Sequence, residues 1–291
     1  MDTTMTLPDG RTVSVWEGGS PEGVPVVFHH GTPSGRLQAV LGADAAIRQN
    51  VRIVSFNRPG YGDSTDTPPS LASVGVDTLR VADALGIQEF AVLGASGGGP
   101  YALATGIADP ERVRAVGVAA GVGPWRLIEA PDSADPDLPI LALVDAGDVP
   151  GALEGFRAQA RAHHEHMLTL PDEAMVDAFF GDAPAEDITW LDQEARRLWA
   201  ADARDALRTY DGYARDNVAW GGPWDIDPAD LQVPTWLWYG ELDRMVPPSH
   251  GHWHAERIPT STLTIVPAVG HGRTIFARWD EMLGVLRAAV Q

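Results

Sequence analysis

The short segment Gly94-Ala95-Ser96-Gly97-Gly98 holds the side chain best placed for covalent chemistry. It falls between an apolar run at 90–93 and a helical pattern that begins near residue 98, so the chain must turn sharply at Ser96. Small residues suit such a turn because its backbone is strained and the strand and helix approach each other closely. The segment therefore predicts that Ser96 is a nucleophile, and the alternative is a glycine-rich turn that contains a serine by chance.

A serine hydroxyl needs a general base, and the chain has nine histidines to choose from. His271 differs from the others because glycines flank it in Val269-Gly270-His271-Gly272, directly after an apolar run at 262–266. We expect a loop there, which can place the imidazole over the carboxyl end of a strand. A histidine in a surface turn is the alternative. With Ser96 in need of a base, we predict that His271 supplies it.

The base in turn needs a carboxylate that fixes its tautomer and stabilises the imidazolium. Asp243 follows the apolar run at 235–239, and Glu241 is the competitor nearby. The earlier run that ends near Val118 continues into Ala119-Ala120-Gly121 and offers no acid. We therefore predict that Asp243 orients His271.

The composition removes several competing kinds of chemistry. The chain has no cysteine, and all 21 of its basic residues are arginine. Thiol nucleophiles, Cys-ligated zinc, Schiff bases and Ser–Lys dyads are thereby excluded. The formal net charge of −19 argues against binding to nucleic acid or to an anionic membrane surface.

Six histidines form two groups that invite interpretation as metal sites. They lie in two predicted helices, at His163, His164 and His166 and at His250, His252 and His254. Spacings of three or four residues can place two imidazoles on one helix face. Neither group has its own carboxylate at a motif spacing, so we interpret both as solvated helix faces and predict no metal.

The elements that position these residues alternate between strand and helix. Continuous apolar runs typical of buried strands occur at 24–28, 51–56, 90–93, 113–118, 235–239 and 262–266. Helical patterns are found from about 70 to 85, from 98 to 108 and from 275 to 290. Residues 3–17 predict an antiparallel hairpin at a sheet edge. The order indicates an α/β fold with a mostly parallel sheet of about eight strands flanked by helices.

The strand pattern stops between about Pro124 and Gly222, where Ala, Asp, Glu and Arg recur at helical spacing. Roughly a hundred residues are too many for a loop in a compact domain. We therefore predict a core domain of residues 1–123 and 223–291 with an inserted helical cap, or lid, of residues 124–222. Five tryptophans of this region or its exit could line a pocket over Ser96 or pack the cap onto the core: Trp125, Trp190, Trp199, Trp220 and Trp224.

Ser96, Asp243 and His271 occur in the chain order typical of the α/β-hydrolase triad. Two further motifs agree with it: His30-Gly31-Thr32-Pro33 after the third predicted strand, and the loop Arg58-Pro59-Gly60-Tyr61-Gly62-Asp63-Ser64 after the fourth. Nearly from end to end, the chain resembles an α/β-hydrolase fold enzyme with a helical cap.

The resemblance implies a serine hydrolase that cleaves a carboxylic ester or a related acyl bond of a small, apolar substrate through an acyl-enzyme. It also implies that the backbone N–H groups of Thr32 and Gly97 form the oxyanion hole. His30 and the loop at 58–64 would be structural. No metal or organic cofactor is expected, and the partner is a small-molecule acyl substrate.

Several alternatives stay open within this resemblance. A proline iminopeptidase-like aminopeptidase would use Glu194 or another cap acid to bind a substrate amine, but that family usually has tryptophan where this chain has Gly97. Cofactor-free haloperoxidases and carbon–carbon bond hydrolases share the triad. Haloalkane dehalogenases and epoxide hydrolases are disfavoured because they have an aspartate in place of Ser96. A non-catalytic ligand-binding receptor is the alternative from another class.

No stretch approaches the twenty apolar residues that a membrane span needs. Residues 1–7 contain an acid and threonines instead of a basic segment followed by an apolar run, so no signal peptide is visible. We expect a cytoplasmic protein that is a monomer or a homodimer, with neither nucleic acid nor membrane as a partner.

Overall fold

The computed structural model describes residues 1–128, 132–180, 188 and 191–291. The strands of the described residues are β1 (Asp2–Thr6), β2 (Thr12–Gly19), β3 (Val24–His29), β4 (Val51–Phe56), β5 (Phe90–Ala95), β6 (Val113–Ala119), β7 (Thr235–Gly240) and β8 (Ser261–Val266). They form one sheet in the order β1-β2-β4-β3-β5-β6-β7-β8. The hairpin β1–β2 is antiparallel, β2 pairs antiparallel with β4, and every other pair is parallel. The predicted fold class and the edge hairpin are confirmed.

Helices cover both faces of this sheet. Those outside the segment between β6 and β7 are α1 (Ala43–Arg48), α2 (Leu71–Ala84), α3 (Gly99–Ala108), α10 (Pro248–Arg257), α11 (His271–Phe276) and α12 (Trp279–Val290). Side chains alternate along β3, so Val26 and Phe28 join one buried cluster with α1 and α12, while Val27 joins the other with α2 and α3. Burial on both faces explains why the strands read as continuous apolar runs.

The chain between β6 and β7 contains helices and no strand in the part that the structure describes. They are α4 (Trp125–Ile128), α5 (Asp137–Asp145), α6 (Val149–His164), α7 (Asp172–Phe180), α8 (Gln193–Ala206) and α9 (Asp211–Gly221). Residues of α7 and α8, such as Val176 and Trp199, belong to the same buried cluster as Phe28. A smaller cluster joins α5, α6 and α9 around Phe156. The division into core and cap at residues 124 and 222 stays a prediction.

The single helix predicted from 275 to 290 is wrong, because the chain forms two helices that break at Ala277 and Arg278. The two helices on either side of the break have different positions in the fold. α12 buries Trp279, Met282 and Leu283 against the sheet, whereas α11 begins at the end of the loop that follows β8. None of the described helices is long and apolar enough to cross a membrane.

Candidate active site

Ser96 lies where β5 ends and one turn of 3-10 helix, Ser96–Gly98, leads into α3. Its φ angle is 52°, in the left-handed region that residues other than glycine rarely adopt. The surrounding glycines permit the turn: a Cβ placed on Gly98 would lie 2.2 Å from the carbonyl oxygen of His29. The turn leaves Ser96 partly exposed between buried neighbours.

His271 and Asp243 meet Ser96 from two other connections of the sheet. The Nε2 atom of His271 is 3.1 Å from Ser96 Oγ, and its Nδ1 atom is 2.7 Å from Asp243 Oδ2. The other carboxylate oxygen of Asp243 accepts hydrogen bonds from the backbone N–H groups of Met245 and Val246, both at 2.9 Å. These contacts fix Asp243, so a neutral His271 holds its proton on Nδ1 and presents Nε2 as an acceptor toward the serine.

The expectation that His271 lies in a loop is wrong, since it is the first residue of α11. Gly270 precedes it with extended backbone and acts as the N-cap. The loop expected from Val269-Gly270-His271-Gly272 therefore stops at Gly270. Starting a helix at His271 holds its backbone more firmly than a loop would, while the side chain still lies beside the carboxyl end of β5.

Thr32 and Gly97 lie side by side next to Ser96. A Cβ on Gly97 would lie only 2.5 Å from Thr32 Oγ1 and 3.4 Å from the backbone nitrogen of Thr32. A Cβ on Gly31 would be 3.5 Å from that of Ser96. The loop after β3 and the turn after β5 are therefore in close contact, which brings the two predicted backbone donors together near the serine.

A buried ion pair that the sequence did not reveal fixes the loop after β3. The side chains of Arg58 and of Asp216 in α9 are fully buried, and Arg58 Nη2 is 2.5 Å from Asp216 Oδ2. Asp216 also accepts hydrogen bonds from the hydroxyls of Thr32, Tyr61 and Tyr101, at 2.7, 2.8 and 2.7 Å. Although burial opposes it, the charge of Arg58 and these hydrogen bonds lower the pKa of Asp216. The loop at 58–64 is thus tied to Thr32 through α9.

His30 is buried in the same cluster. Its Nδ1 atom is 2.8 Å from the carbonyl oxygen of Gly31, and its Nε2 accepts a hydrogen bond from the backbone N–H of Arg58 at 3.3 Å. Burial and the charge of Arg58 hold the pKa of His30 well below its ordinary value, so the ring is neutral. These contacts brace the loop, in keeping with the structural role that the resemblance implied.

A second buried carboxylate, Asp202 of α8, holds the next part of this loop. It accepts hydrogen bonds from the hydroxyl of Ser34 and from the backbone N–H of Gly35. No arginine forms an ion pair with Asp202 among the described residues, and burial raises its pKa to about 6. The loop is thus held by two aspartates of the helical segment that no local motif marks.

One cavity lies beside Ser96, and a second cavity adjoins the first. The smaller, of about 40 Å³, is called here the Ser96 cleft and is lined by residues that include Ser96, His271 and Trp199. The larger, of about 570 Å³, is called the distal cavity. Both are lined by the same four residues where they meet, namely Thr32, Pro33, Phe179 and Met245. The distal cavity is therefore a direct neighbour of the Ser96 cleft.

The tryptophans divide between the two predicted roles. Trp199 lines the Ser96 cleft and Trp220 the distal cavity, while Trp125 packs against the cluster of α5, α6 and α9. Trp224 lies 5.9 Å from Trp253, between ring centroids, away from both cavities. Trp190 lies outside the described residues.

The prediction that the second histidine group forms a solvated face is wrong for two of its members. His250 and His254 are buried, because Gly251 lets α10 pack closely against the ring of Tyr239. Burial lowers the pKa of His254 to about 3, and His250 Nδ1 accepts a hydrogen bond from the Gly123 amide. His252 is exposed, as are His163 and His166, whereas His164 is half-buried. No group of three or more potential metal ligands occurs within the described residues.

Comparison with known proteins identifies the family of the chain. Residues 26–285 match the model of the Alpha/beta hydrolase family. The chain belongs to the α/β-hydrolase family. The match covers most of the chain and includes Ser96, Asp243 and His271, so the chain is an enzyme of this fold. Glu194, the acid considered for amine binding, is exposed near the start of α8.

The relatives that the chain resembles within the α/β-hydrolase family are named for different reactions. The chain is 25% identical to "Putative carbamate hydrolase RutD" of Caulobacter sp. over 90% of this chain and 93% of the relative. It is 34% identical to 3-oxoadipate enol-lactonase 1 of Acinetobacter baylyi, over 40% of this chain and 43% of that protein. An esterase structure from Exiguobacterium antarcticum covers the whole of both chains with a TM-score of 0.69 at 20% identity, which supports the fold alone.

Proposed function

We propose that this protein is a serine hydrolase that cleaves an ester or a related acyl bond of a small molecule. The observation that carries the proposal is the continuous contact from Asp243 through His271 to Ser96, at 2.7 and 3.1 Å. The names of the relatives support the same class, because a carbamate and a lactone both have an acyl carbon that is attacked by a nucleophile.

In the first half of the reaction, Ser96 Oγ bonds to the acyl carbon and its proton passes to His271 Nε2. The carbonyl oxygen gains the electron pair of the broken π bond, and the backbone N–H groups of Thr32 and Gly97 stabilise this oxyanion. Asp243 stabilises the imidazolium that forms. The oxyanion then collapses, the leaving group takes the proton from His271, and an acyl-Ser96 ester remains.

In the second half, His271 takes a proton from water while the water oxygen attacks the acyl carbon. The same two amides receive the second oxyanion. Its collapse breaks the bond to Ser96 Oγ, which recovers its proton from His271, and the acid product leaves. Neither half of the reaction requires a metal or an organic cofactor. In this proposal residues 124–222 act as the lid that shapes the acyl-binding cavity.

Labelling with a fluorophosphonate probe tests the nucleophile, because the probe phosphonylates an activated serine. We expect wild-type protein to label and to hydrolyse p-nitrophenyl butyrate, and a Ser96→Ala variant to do neither. Ser73→Ala, a change on α2, serves as the matched control and should behave as wild type. An unlabelled wild-type protein, or equal labelling of the Ser96→Ala variant, would contradict the proposal.

A further inference from the structure

The distal cavity contains a carboxylate at the side chain of Asp137, in the first turn of α5. Asp137 is half-buried, and one carboxylate oxygen accepts a hydrogen bond from Gln159 Nε2 at 2.5 Å. No arginine forms an ion pair with it among the described residues. The undescribed residues, 129–131, 181–187 and 189–190, contain neither arginine nor lysine. The carboxylate therefore has no arginine partner, and the charge of the exposed His163 is the cationic influence recorded at it.

Other acids of the same helical segment are paired with arginine. The ion pairs are Asp145 with Arg126, Asp172 with Arg204, Asp177 with Arg196 and Asp211 with Arg157. These four acids lie outside the residues that line the distal cavity. Asp137 thus differs from these four, since it has no arginine partner and lines the distal cavity. A partly buried charge without a partner is costly to a protein unless a ligand compensates it.

The neighbours of Asp137 in the cavity suit a positively charged nitrogen. Tyr213 and Phe179 present aromatic rings, and the His164 ring lies 5.7 Å from the first and 6.5 Å from the second, between centroids. Cations bind favourably to aromatic faces when they are removed from water. Burial lowers the pKa of His164 to about 4, so this imidazole is neutral near pH 7 and does not compete for the carboxylate.

Burial also acts on Asp137, and it raises the pKa of this carboxyl. The negative charge of Asp135 raises it further, while the hydrogen bond from Gln159 and the charge of His163 lower it. A carboxyl in this environment gains more from a cation than one at the open surface, because fewer water molecules stabilise its charge.

We propose that the substrate has a cationic nitrogen that binds in the distal cavity against Asp137 while its acyl carbon lies at Ser96. The four residues that line both cavities place the two cavities next to each other, so that one short molecule is required to span them. The substrate class is therefore an ester, or a related acyl compound, with an ammonium or similar group at the end of a short chain. This inference rests on the proposed hydrolase function.

The test compares esters that differ only in charge. Choline butyrate and its neutral isostere, with tert-butyl in place of trimethylammonium, place the charge on the alcohol side. On the acyl side the pair is p-nitrophenyl trimethylammoniobutanoate and its tert-butyl isostere. We expect wild-type kcat/KM to favour the cation by about tenfold in one pair, which corresponds to about 1.4 kcal/mol. Asp137→Asn should abolish this preference by lowering kcat/KM for the cationic ester about tenfold relative to its isostere.

Glu194→Gln removes the same charge from an exposed position on α8 and is the matched control, so it should keep the preference. Equal rates for cation and isostere in both pairs would overturn the inference, as would a preference that survives in Asp137→Asn. Fluorophosphonate labelling of every variant separates the two proposals. Labelling without a cation preference overturns only the cationic substrate, whereas loss of labelling in wild type overturns the hydrolase itself.

Discussion

At the scale of single residues, the two oxygens of Asp243 have different tasks. Oδ1 accepts from two backbone amides and fixes the side chain, while Oδ2 contacts the His271 ring. The nearby acid Glu241 is exposed and accepts a hydrogen bond from the backbone of Ala268 instead. Sequence position alone made these two acids competitors, and the geometry favours Asp243.

Asp243→Asn should lower kcat for p-nitrophenyl butyrate by about 10³ to 10⁴, as expected when the orienting carboxylate of a triad becomes an amide. The asparagine oxygen can still accept from the two amides, so its N–H group faces His271 Nδ1 and favours the wrong tautomer. Thermal unfolding should show little change. Glu241→Gln is the control and should retain wild-type kcat. Full activity in Asp243→Asn would contradict its assignment as the orienting carboxylate.

At the scale of elements, α8 and α9 hold the loop after β3 through two buried carboxylates with opposite electrostatics. Asp216 pairs with Arg58, and its pKa is lowered. Asp202 has hydrogen bonds from Ser34 and Gly35 but no arginine partner in the described structure, and its pKa is raised from 3.8 to about 6. The same loop is therefore held by two carboxylates. The fold stabilises the negative charge of Asp216 and destabilises that of Asp202.

We expect removal of the charge of Asp202 and removal of the charge of Asp216 to have opposite effects on the free energy of unfolding. The folded state binds a proton at Asp202 more tightly than the unfolded chain does, so wild type loses stability as pH rises from about 4 to above 6. Asp202→Asn keeps an acceptor without the charge. Urea unfolding should show nearly equal stability of wild type and variant near pH 4, and a variant more stable by about 3 kcal/mol above pH 7.

Asp216→Asn is the comparison for this experiment. It leaves the buried Arg58 without its ion pair and should destabilise the protein by about 3–5 kcal/mol at pH 7. Because the pKa of Asp216 is lowered, its contribution is present above the ordinary carboxyl pKa and is lost as pH falls. A wild-type advantage over Asp202→Asn that grows with pH would show that the charge of Asp202 is stabilised after all.

At the scale of the whole molecule, the net charge of −19 acts on whatever approaches the cavities. Such a charge attracts cations over distances of about the Debye length, roughly 10 Å at 0.1 M salt. The charge and the unpaired Asp137 therefore favour the same substrates. Each arginine that pairs with an acid, such as Arg58 or Arg36, cancels the charge of one acid, so the excess of acids keeps the field negative.

Ionic strength should consequently separate the esters of each isosteric pair. We expect kcat/KM for the cationic ester to fall several-fold between about 0.02 and 0.5 M NaCl, because salt screens the attraction. The neutral isostere experiences no such attraction and should change little. Parallel slopes for the two esters would show that electrostatic attraction does not assist binding.

The sequence by itself determined the features that depend on local pattern. Apolar runs identified the strands, since burial on both faces needs apolar residues at every position. The glycines around Ser96 predicted the turn. The glycines around His271 and the position of Asp243 after an apolar run predicted its partners. Periodicity could not locate the break at Ala277, because both flanking segments favour helix.

Only the tertiary structure decided which distant side chains share a buried environment. Arg58 and Asp216 are 158 positions apart, and no local pattern marks either as a partner of the other. His250 and His254 were predicted to lie on a solvated face. They are buried because α10 packs on Tyr239, and this contact cannot be recognised in the sequence. In the sequence, nothing distinguishes Asp137 from the other acids among the forty of the chain. Its lack of an arginine partner depends on which helices surround the cavity, and a single sequence gives the charges without their distances.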